Sequence, residues 1–349
     1  MLTYDTLARK PGAFKSMTGL TVQEFEALLA ELRVPYEAAR EERVAATSRQ
    51  RAPGGGAKPR YELRERLLMT LVWLRLYLTG EAVGVLFAVD KSTVSRYTQP
   101  LLRLLRDRGQ ATLGWPEEAR ALLPVPAAEG TPAVERAAVE TPAPAQEDSV
   151  AIIDATEQRV ERAQDHATQK AHYSGKKKAH TRKTLLIVNE HGRLRYVSAS
   201  VPGAEHDLTL VRHCGALEEI PSALSLMADS GFQGLQNDVP ERSVALPYKG
   251  SKAHPLTPEQ KLHNALLSRI RIVVENTLAE MKHFRILADV FRHPLALYDS
   301  IFVSVAGLIT HRADQRHAVW QRLAEKRPPA PTASPQGFYG ACAGLAVAA

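Results

Sequence analysis

The sequence predicts an all-α N-terminal region followed by a mixed α/β domain. Three observations predict it. Apolar residues recur at helical spacing through the first third of the chain, a Pro-, Ala- and Glu-rich stretch interrupts it at 124–148, and short apolar or alternating runs of strand length then alternate with helical ones. At 349 residues the chain exceeds a typical single domain, and its 44% apolar and 24% charged content is that of a folded globular protein.

Thr21 and Glu24 read as a capping box opening a helix, whose Phe25, Leu28, Leu29 and Leu32 recur at helical spacing before Pro35. Residues 49–60 (RQRAPGGGAKPR) have no periodicity and read as a flexible joint. Residues 63–78 form a strongly apolar helix with Trp73, interrupted at Thr79-Gly80; a short second helix over 81–88 follows, and Val89-Asp90 is a turn. A third helix is expected to start at Ser92 as N-cap and to bury Val94 and Leu101, leaving Lys91, Thr93, Ser95 and Arg96 outward. Pro100 lies too deep for a first turn, so a kink or break is expected there. Long helix, short helix, tight turn and polar-fronted helix is the order of a helix-turn-helix, and equally of a plain helical bundle.

Residues 124–148 contain almost nothing to bury and read as an extended linker. Strand-like runs follow at 150–153, 184–188, 194–201 and 224–227, with 244–246 as a candidate fifth. Asp207 is expected to cap a helix running toward Glu218, Pro258 to front a long helix through Lys282, and 295–311 to form an apolar final helix. From Arg327 the Pro-, Ala- and Gly-rich tail is expected to be disordered, with Tyr339 and Cys342 incidental. The resulting division is a helical segment at 1–48, a joint at 49–60, a helical domain at 61–116, a linker at 117–148, an α/β domain at 149–315 and an extension at 316–349.

The formal charge of +7 understates the basic character of the folded parts. Residues 117–148 hold seven acids against two arginines, so the rest of the chain carries +12. That surplus favours a polyanionic partner. Cys214 and Cys342 match no disulfide framework or zinc spacing, and His166, His172 and His180 have no cysteine companions, so a zinc site is not expected. No uncharged stretch reaches the roughly 20 residues of a membrane span. The opening residues lack the apolar run of a signal peptide, and a cytoplasmic, nucleoid-associated location is expected.

Three acids stand in a pattern suited to hard cations. Asp154 ends the strand-like run VAIID, and Asp229 ends LSLMAD just before Ser230-Gly231, where a strand must turn. Glu275 lies in LSRIRIVVENTLAEMKHF, where a rotation of about 100° per residue puts Arg271, Glu275 and Lys282 on one helical stripe. Carboxylates at two strand ends and on a basic helix suit divalent ions about 3.5 to 4 Å apart, the arrangement that cleaves phosphodiesters at neutral pH. Each acid singly has a plain structural reading: a strand-end turn for Asp154, an Asx turn for Asp229, and an ion pair with Arg271 for Glu275. Lys176, Lys177, Lys178, His180, Arg182 and Lys183 form a basic run beside Ser174-Gly175 that either is a solvated loop or tracks a DNA backbone. Gly203 and Gly234 read as turn residues.

The segments IIDATEQRV, HYSGKKKAHTRKTLLIV, YVSASVPGAEHDLTL, MADSGFQGL and LTPEQKLHNALLSRIRIVVENTLAEMKHFRIL, in that order, resemble the DDE transposases of the IS-five family and their Harbinger-type relatives. The resemblance covers residues 150–311, and the helical region before them resembles the DNA-binding domain of that family. It implies an RNase H-like catalytic domain behind an all-α helix-turn-helix domain. It also implies metal-binding acids at Asp154, Asp229 and Glu275 holding two Mg2+, for which Mn2+ could substitute. Arg271, Glu275 and Lys282 meet the family's Arg-x3-Glu-x6-Lys motif, whereas Ser268 stands where a Tyr is often found.

The implied activity is DNA transposition. The chain would bind the terminal inverted repeats of an insertion sequence, cut phosphodiesters and join the 3′-hydroxyl ends to target DNA, acting as a homodimer or higher oligomer. Asp154 would bridge both ions, Asp229 and Glu275 would each complete one, and Arg271 and Lys282 would hold phosphates. DNA contacts would come from Lys91, Ser92, Thr93, Ser95 and Arg96 on the third helix and from Lys176, Lys177, Lys178 and Arg182. Two further readings stand beside this one: a transposase-derived nuclease that cuts without joining, and a helix-turn-helix regulator with an idle acid triad.

Overall fold

The computed structural model describes residues 1–45, 60–115 and 148–325, with side chains through 317. The expected joint apart from Arg60, the linker apart from Asp148, and the tail from Arg327 lie outside the described residues. The chain divides into two units, Met1–Ala313 and Asp314–Ala349. Of the second, residues 314–325 are helical.

The N-terminal part holds α1 (Tyr4–Ala8), α2 (Pro11–Thr18) and α3 (Val22–Ala45). The capping box is present: the Thr21 N–H donates to Glu24 Oε2 at 2.7 Å and the Glu24 N–H to Thr21 Oγ1 at 3.2 Å. The helix runs through Pro35 instead of stopping before it. The expected core residues Phe25, Leu28, Leu29 and Leu32 are all buried.

Next come α4 (Leu63–Leu76), α5 (Gly80–Phe87) and α6 (Lys91–Thr112). Their order is that of a helix-turn-helix, and Thr79 caps α5 through a bond from the Ala82 N–H. The expected cap of α6 shifts by two residues. Asp90 is the N-cap and Ser92 lies inside the first turn, because the backbone of Asp90 is already extended while the carbonyl of Asp90 accepts from Thr93 and Val94. No break occurs at Pro100, which the helix passes through. Val94 and Leu101 are buried as expected, and burial continues through Leu102 and Leu105.

The α/β part is built on one mixed sheet: β1 (Val150–Arg159), β2 (Tyr173–Ser174), β3 (Ala179–Asn189), β4 (Leu194–Val197), β5 (Val201–Pro202), β6 (Ser225–Ala228) and β7 (Val244–Ala245). Its main path is β2-β3-β1-β6-β7, with β4 and β5 also on β3. β1 and β3 are antiparallel, whereas β6 and β7 add in parallel. A strand that runs parallel to its neighbour needs a crossover, and α7 (His166–His172), α8 (Asp207–His213), α9 (Ala216–Glu219) and α10 (Leu235–Asp238) occupy such connections. α11 (Pro258–Lys282), capped by Thr257 and Gln260, α12 (Arg285–Ala288) and α13 (Tyr298–Glu325) are the last helices among the described residues.

Alternation along β1 sorts the core into two. Ile152 with Leu186, Val188 and Met227 joins Val274 and Met281 of α11, and that cluster is continuous with the N-terminal helices. Ala151 and Ile153 with Leu185 and Ile187 face Leu210 and Val211 of α8 on the other side. The helical and α/β parts of the first unit are therefore packed together. Gly109 of α6 meets Gly307 of α13 so closely that a Cβ on Gly307 would stand 2.5 Å from the Gly109 Cα. Beside them Arg108 donates to the Gly307 carbonyl at 3.2 Å and to His311 Nδ1 at 2.9 Å, while His311 Nε2 donates to the Glu24 carbonyl at 2.8 Å. Those two bonds select the neutral Nε2–H tautomer, in keeping with a pKa lowered by burial.

Candidate active site

The strand register brings the first two acids together. Val150 to Ile153 pair in parallel with Ser225 to Ala228, so the next step along both chains sets Asp154 beside Asp229, on strands about 4.8 Å apart. Asp154 does not end its strand: β1 continues five residues further because β3 pairs with it as far as Arg159. Asp229 follows the last residue of β6 and accepts from the Gly231 N–H at 2.6 Å, which is the Asx-type turn that chain reversal requires.

α11 lies over this face and lowers Arg271 onto the pair. Its Nη2 is 3.9 Å from Asp154 Oδ2 and 4.0 Å from Asp229 Oδ2, distances that attract without forming a hydrogen bond. The Arg271 Nε is buried with no partner among the described residues. Burial dominates at Asp154 and raises its carboxyl from 3.8 to about 6, against a backbone bond from Ala155 and the Arg271 charge. Glu275 follows one turn along α11 and is exposed. It makes no ion pair with Arg271, so the plain reading of that glutamate is not what the structure shows.

A hard divalent cation is the group this donor set suggests. Two juxtaposed carboxylates, one desolvated and reached by a cation only at 3.9 Å, fit such an ion. The third donor is not drawn in: among the described residues no three His, Cys, Asp or Glu side chains are arranged to hold a metal ion.

The opposite side of the sheet supplies residues that sequence reasoning assigned elsewhere. Asp207 is the first residue of α8, not its cap; His206 takes the cap position without a side-chain bond. The carboxylate of Asp207 instead accepts from Lys183 Nζ at 2.7 Å. Lys183 lies opposite Glu157 in the β1–β3 register, is 6% exposed, and also approaches Glu157 Oε1 at 3.7 Å. From there Asp207 reaches the end of β6. A Cβ on Gly231 would stand 2.6 Å from Asp207 Oδ2 and 2.9 Å from Asp229 Oδ1, so this position has room only for glycine. A lysine two residues before the apolar run Leu185–Val188 of the same strand, on the face of Leu185 and Ile187, was the signal that could have singled out Lys183.

The remaining candidates divide by what they already touch. Lys91, Ser92, Ser95 and Arg96 are exposed along the front of α6 and Thr93 is half-buried. Lys91 pairs with Glu81 at 2.8 Å, and Arg96 donates to Thr93 Oγ1 at 2.7 Å. Lys176, Lys177 and Lys178 are exposed in the tight β2–β3 turn, where Lys178 takes the left-handed conformation at φ 48°. Arg182 is tied back: its guanidinium donates to Ser200 Oγ and O at 2.6 to 3.1 Å and holds β3 to the segment before β5. Lys282 is exposed and close enough to Asp154 to feel its charge.

Comparison with known proteins agrees with this layout. Residues 153–309 match the family model described as DDE superfamily endonuclease, and residues 62–111 match the one described as helix-turn-helix of DDE superfamily endonuclease. The chain is 26% identical over 280 residues to a probable transposase for insertion sequence element IS702 from Microchaete diplosiphon, a match covering 80% of this chain and 87% of that protein. It is thus a distant homologue of an insertion-sequence transposase, and its helix-turn-helix followed by a mixed α/β domain is consistent with a DDE nuclease fold. Among the described residues no helix is long and apolar enough to cross a membrane.

Proposed function

We propose that the chain is a metal-dependent DNA transposase of the IS-five and Harbinger type, which binds the ends of its element, cuts phosphodiester bonds and joins the freed 3′-hydroxyls to target DNA. The observation that carries this reading is the in-register pair Asp154 and Asp229 beneath Arg271, within a stretch matching a DDE superfamily endonuclease. Asp154 and Asp229 would hold the ions, Mg2+ by the hardness of their oxygen donors, with Glu275 swung inward as the third ligand. The ions would supply charge stabilisation and an activated water. Arg271 is then released from the two acids to a phosphate oxygen, for which its planar fork is well shaped. The front of α6 would lie in the major groove and, in a dimer or higher oligomer, hold two element ends.

The test supplies precut element ends with a target plasmid and Mg2+. Joined product is expected. Hydrolysis without joining would favour a nuclease, and binding without either would favour a regulator, the reading in which Arg271 simply neutralises an idle acid pair. Asp154→Asn, Asp229→Asn and Glu275→Gln should each lower cleavage by about 10^3-fold or more while leaving DNA affinity within a few-fold. Full cleavage by one of them would remove that acid from the site.

A further inference from the structure

A cleft of about 810 Å3 opens between the connection that follows α4 and the edge of the α/β part, and its charge is one-sided. Five basic side chains line it against two acids, Glu157 and Asp289. Both acids are already engaged. Glu157 accepts from Thr181 Oγ1 at 2.8 Å and faces Lys183, and Asp289 pairs with Arg285 at 3.1 Å. Arg292 is also held, by a hydrogen bond to the Tyr77 carbonyl at 2.5 Å and by its position 4.2 Å from the Tyr77 ring centre. That leaves Arg159 at the end of β1, Lys177 in the β2–β3 turn and Lys282 at the end of α11. Among the described residues none of the three has a side-chain hydrogen bond or ion pair. Lys177 and Lys282 are near enough to repel, and that repulsion adds to desolvation in lowering the Lys282 pKa.

Three unmatched cations converging on one cleft are unfavourable in the free protein and become favourable when a polyanion enters. The cleft is also well placed. One wall is Tyr77 and Leu78, inside the helix-turn-helix, and the other holds Lys282, which senses the Asp154 charge.

We propose that this cleft carries the DNA strand running from the helix-turn-helix to the acid pair, with Arg159, Lys177 and Lys282 on its phosphates. The proposal rests on the reading of the chain as a DNA enzyme and adds to it the path of the substrate. Such contacts carry no sequence preference, so their loss weakens all DNA alike.

The experiment measures binding of the full chain to two short fluorescent duplexes of unrelated sequence, by anisotropy between about 50 and 200 mM salt. Arg159→Ala with Lys177→Ala should weaken both duplexes equally and lower the log–log salt slope by about two. The charge-preserving pair Arg159→Lys with Lys177→Arg should restore the slope, which separates a phosphate contact from a packing defect. Lys10→Ala, on an exposed residue at the start of α2, should leave the slope unchanged. An unchanged slope in the alanine pair, or one the charge-preserving pair fails to restore, overturns the cleft while leaving the enzyme reading intact. Failure of the unaltered chain to bind either duplex overturns both.

Discussion

Two charged clusters sit on opposite faces of one sheet, and they are built differently. On the α11 face Arg271 stands 3.9 and 4.0 Å from two carboxylates with no hydrogen bond to either, and Asp154 is pushed toward protonation. On the α8 face Lys183 is bonded to Asp207 at 2.7 Å and to the Glu205 carbonyl, with Glu157 at 3.7 Å. The first is loosely satisfied and available to a ligand; the second is held by short bonds, although Asp207 also reaches the Asp229 turn and its charge helps to raise Asp154. Buried ion pairs tolerate removal of a partner badly when the geometry is tight, because the other charge is left without water or counterion. Under-satisfied groups are the ones a site can re-pair at little cost.

The largest expected effect breaks the closed cluster. Lys183→Met leaves Asp207 and Glu157 facing one another with no cation, at a cost of about 3–5 kcal/mol in urea unfolding. Arg271→Met should cost much less, about 1 kcal/mol, because Asp154 already titrates near 6 and takes up a proton when its counterion goes. Equal losses from the two substitutions would erase the contrast between the faces.

A smaller effect, of opposite sign, follows from Asp154 itself. Its folded pKa of about 6 lies above the ordinary 3.8, so the ionised form is penalised. The penalty is absent below 3.8 and fully present above about 6. Asp154→Asn should therefore stabilise the metal-free protein at pH 7.5 by about 1–3 kcal/mol, and the gain should vanish as pH falls toward 4. Melting in the presence of EDTA at both pH values checks the size and the sign together. A variant less stable than the parent at pH 7.5 would mean that burial does not govern this carboxylate.

How much of this was readable beforehand depends on whether the deciding contact is local. Helical periodicity suffices for α4 to α6, and a capping box for α3 and Thr21, because those signals lie within a few residues. Strand runs around Asp154 and Asp229 are equally local, though the length of β1 is not: it extends to Arg159 because β3 is there to pair with it. Asp207 looked like a cap for the same reason. Its partner Lys183 is 24 positions away in sequence, and no spacing rule joins them. Pro100 sits inside a helix that tertiary packing sustains past a local breaker, with Leu101, Leu102 and Leu105 buried beyond it, whereas the α3 residues beyond Pro35 are exposed or only half-buried. Trp115 and Asp148, 33 positions apart in sequence, are a further case. Both meet Arg195, by a ring contact at 5.6 Å and an ion pair at 2.5 Å, a shared partner that composition alone could not reveal.

The smallest expected effect tests the front of α6, where charge is exposed and stability barely depends on it. Lys91 and Glu81 form an ion pair with side chains 69% and 64% exposed, and such pairs are screened by salt and held by few contacts. Glu81→Gln should therefore leave the melting temperature within about a degree. On the proposed reading of the α6 front as a DNA contact, it should nevertheless tighten DNA binding, since Lys91 would lose its competitor for a phosphate and the duplex a repelling carboxylate. A rise of about two- to five-fold in affinity at low salt, fading as salt increases, is the expected result. Lys91→Ala then has to remove that gain in the Glu81→Gln background. If the gain persists without Lys91, the repelled phosphate lies against Glu81 alone and the α6 front reads DNA through Ser95 and Arg96 instead.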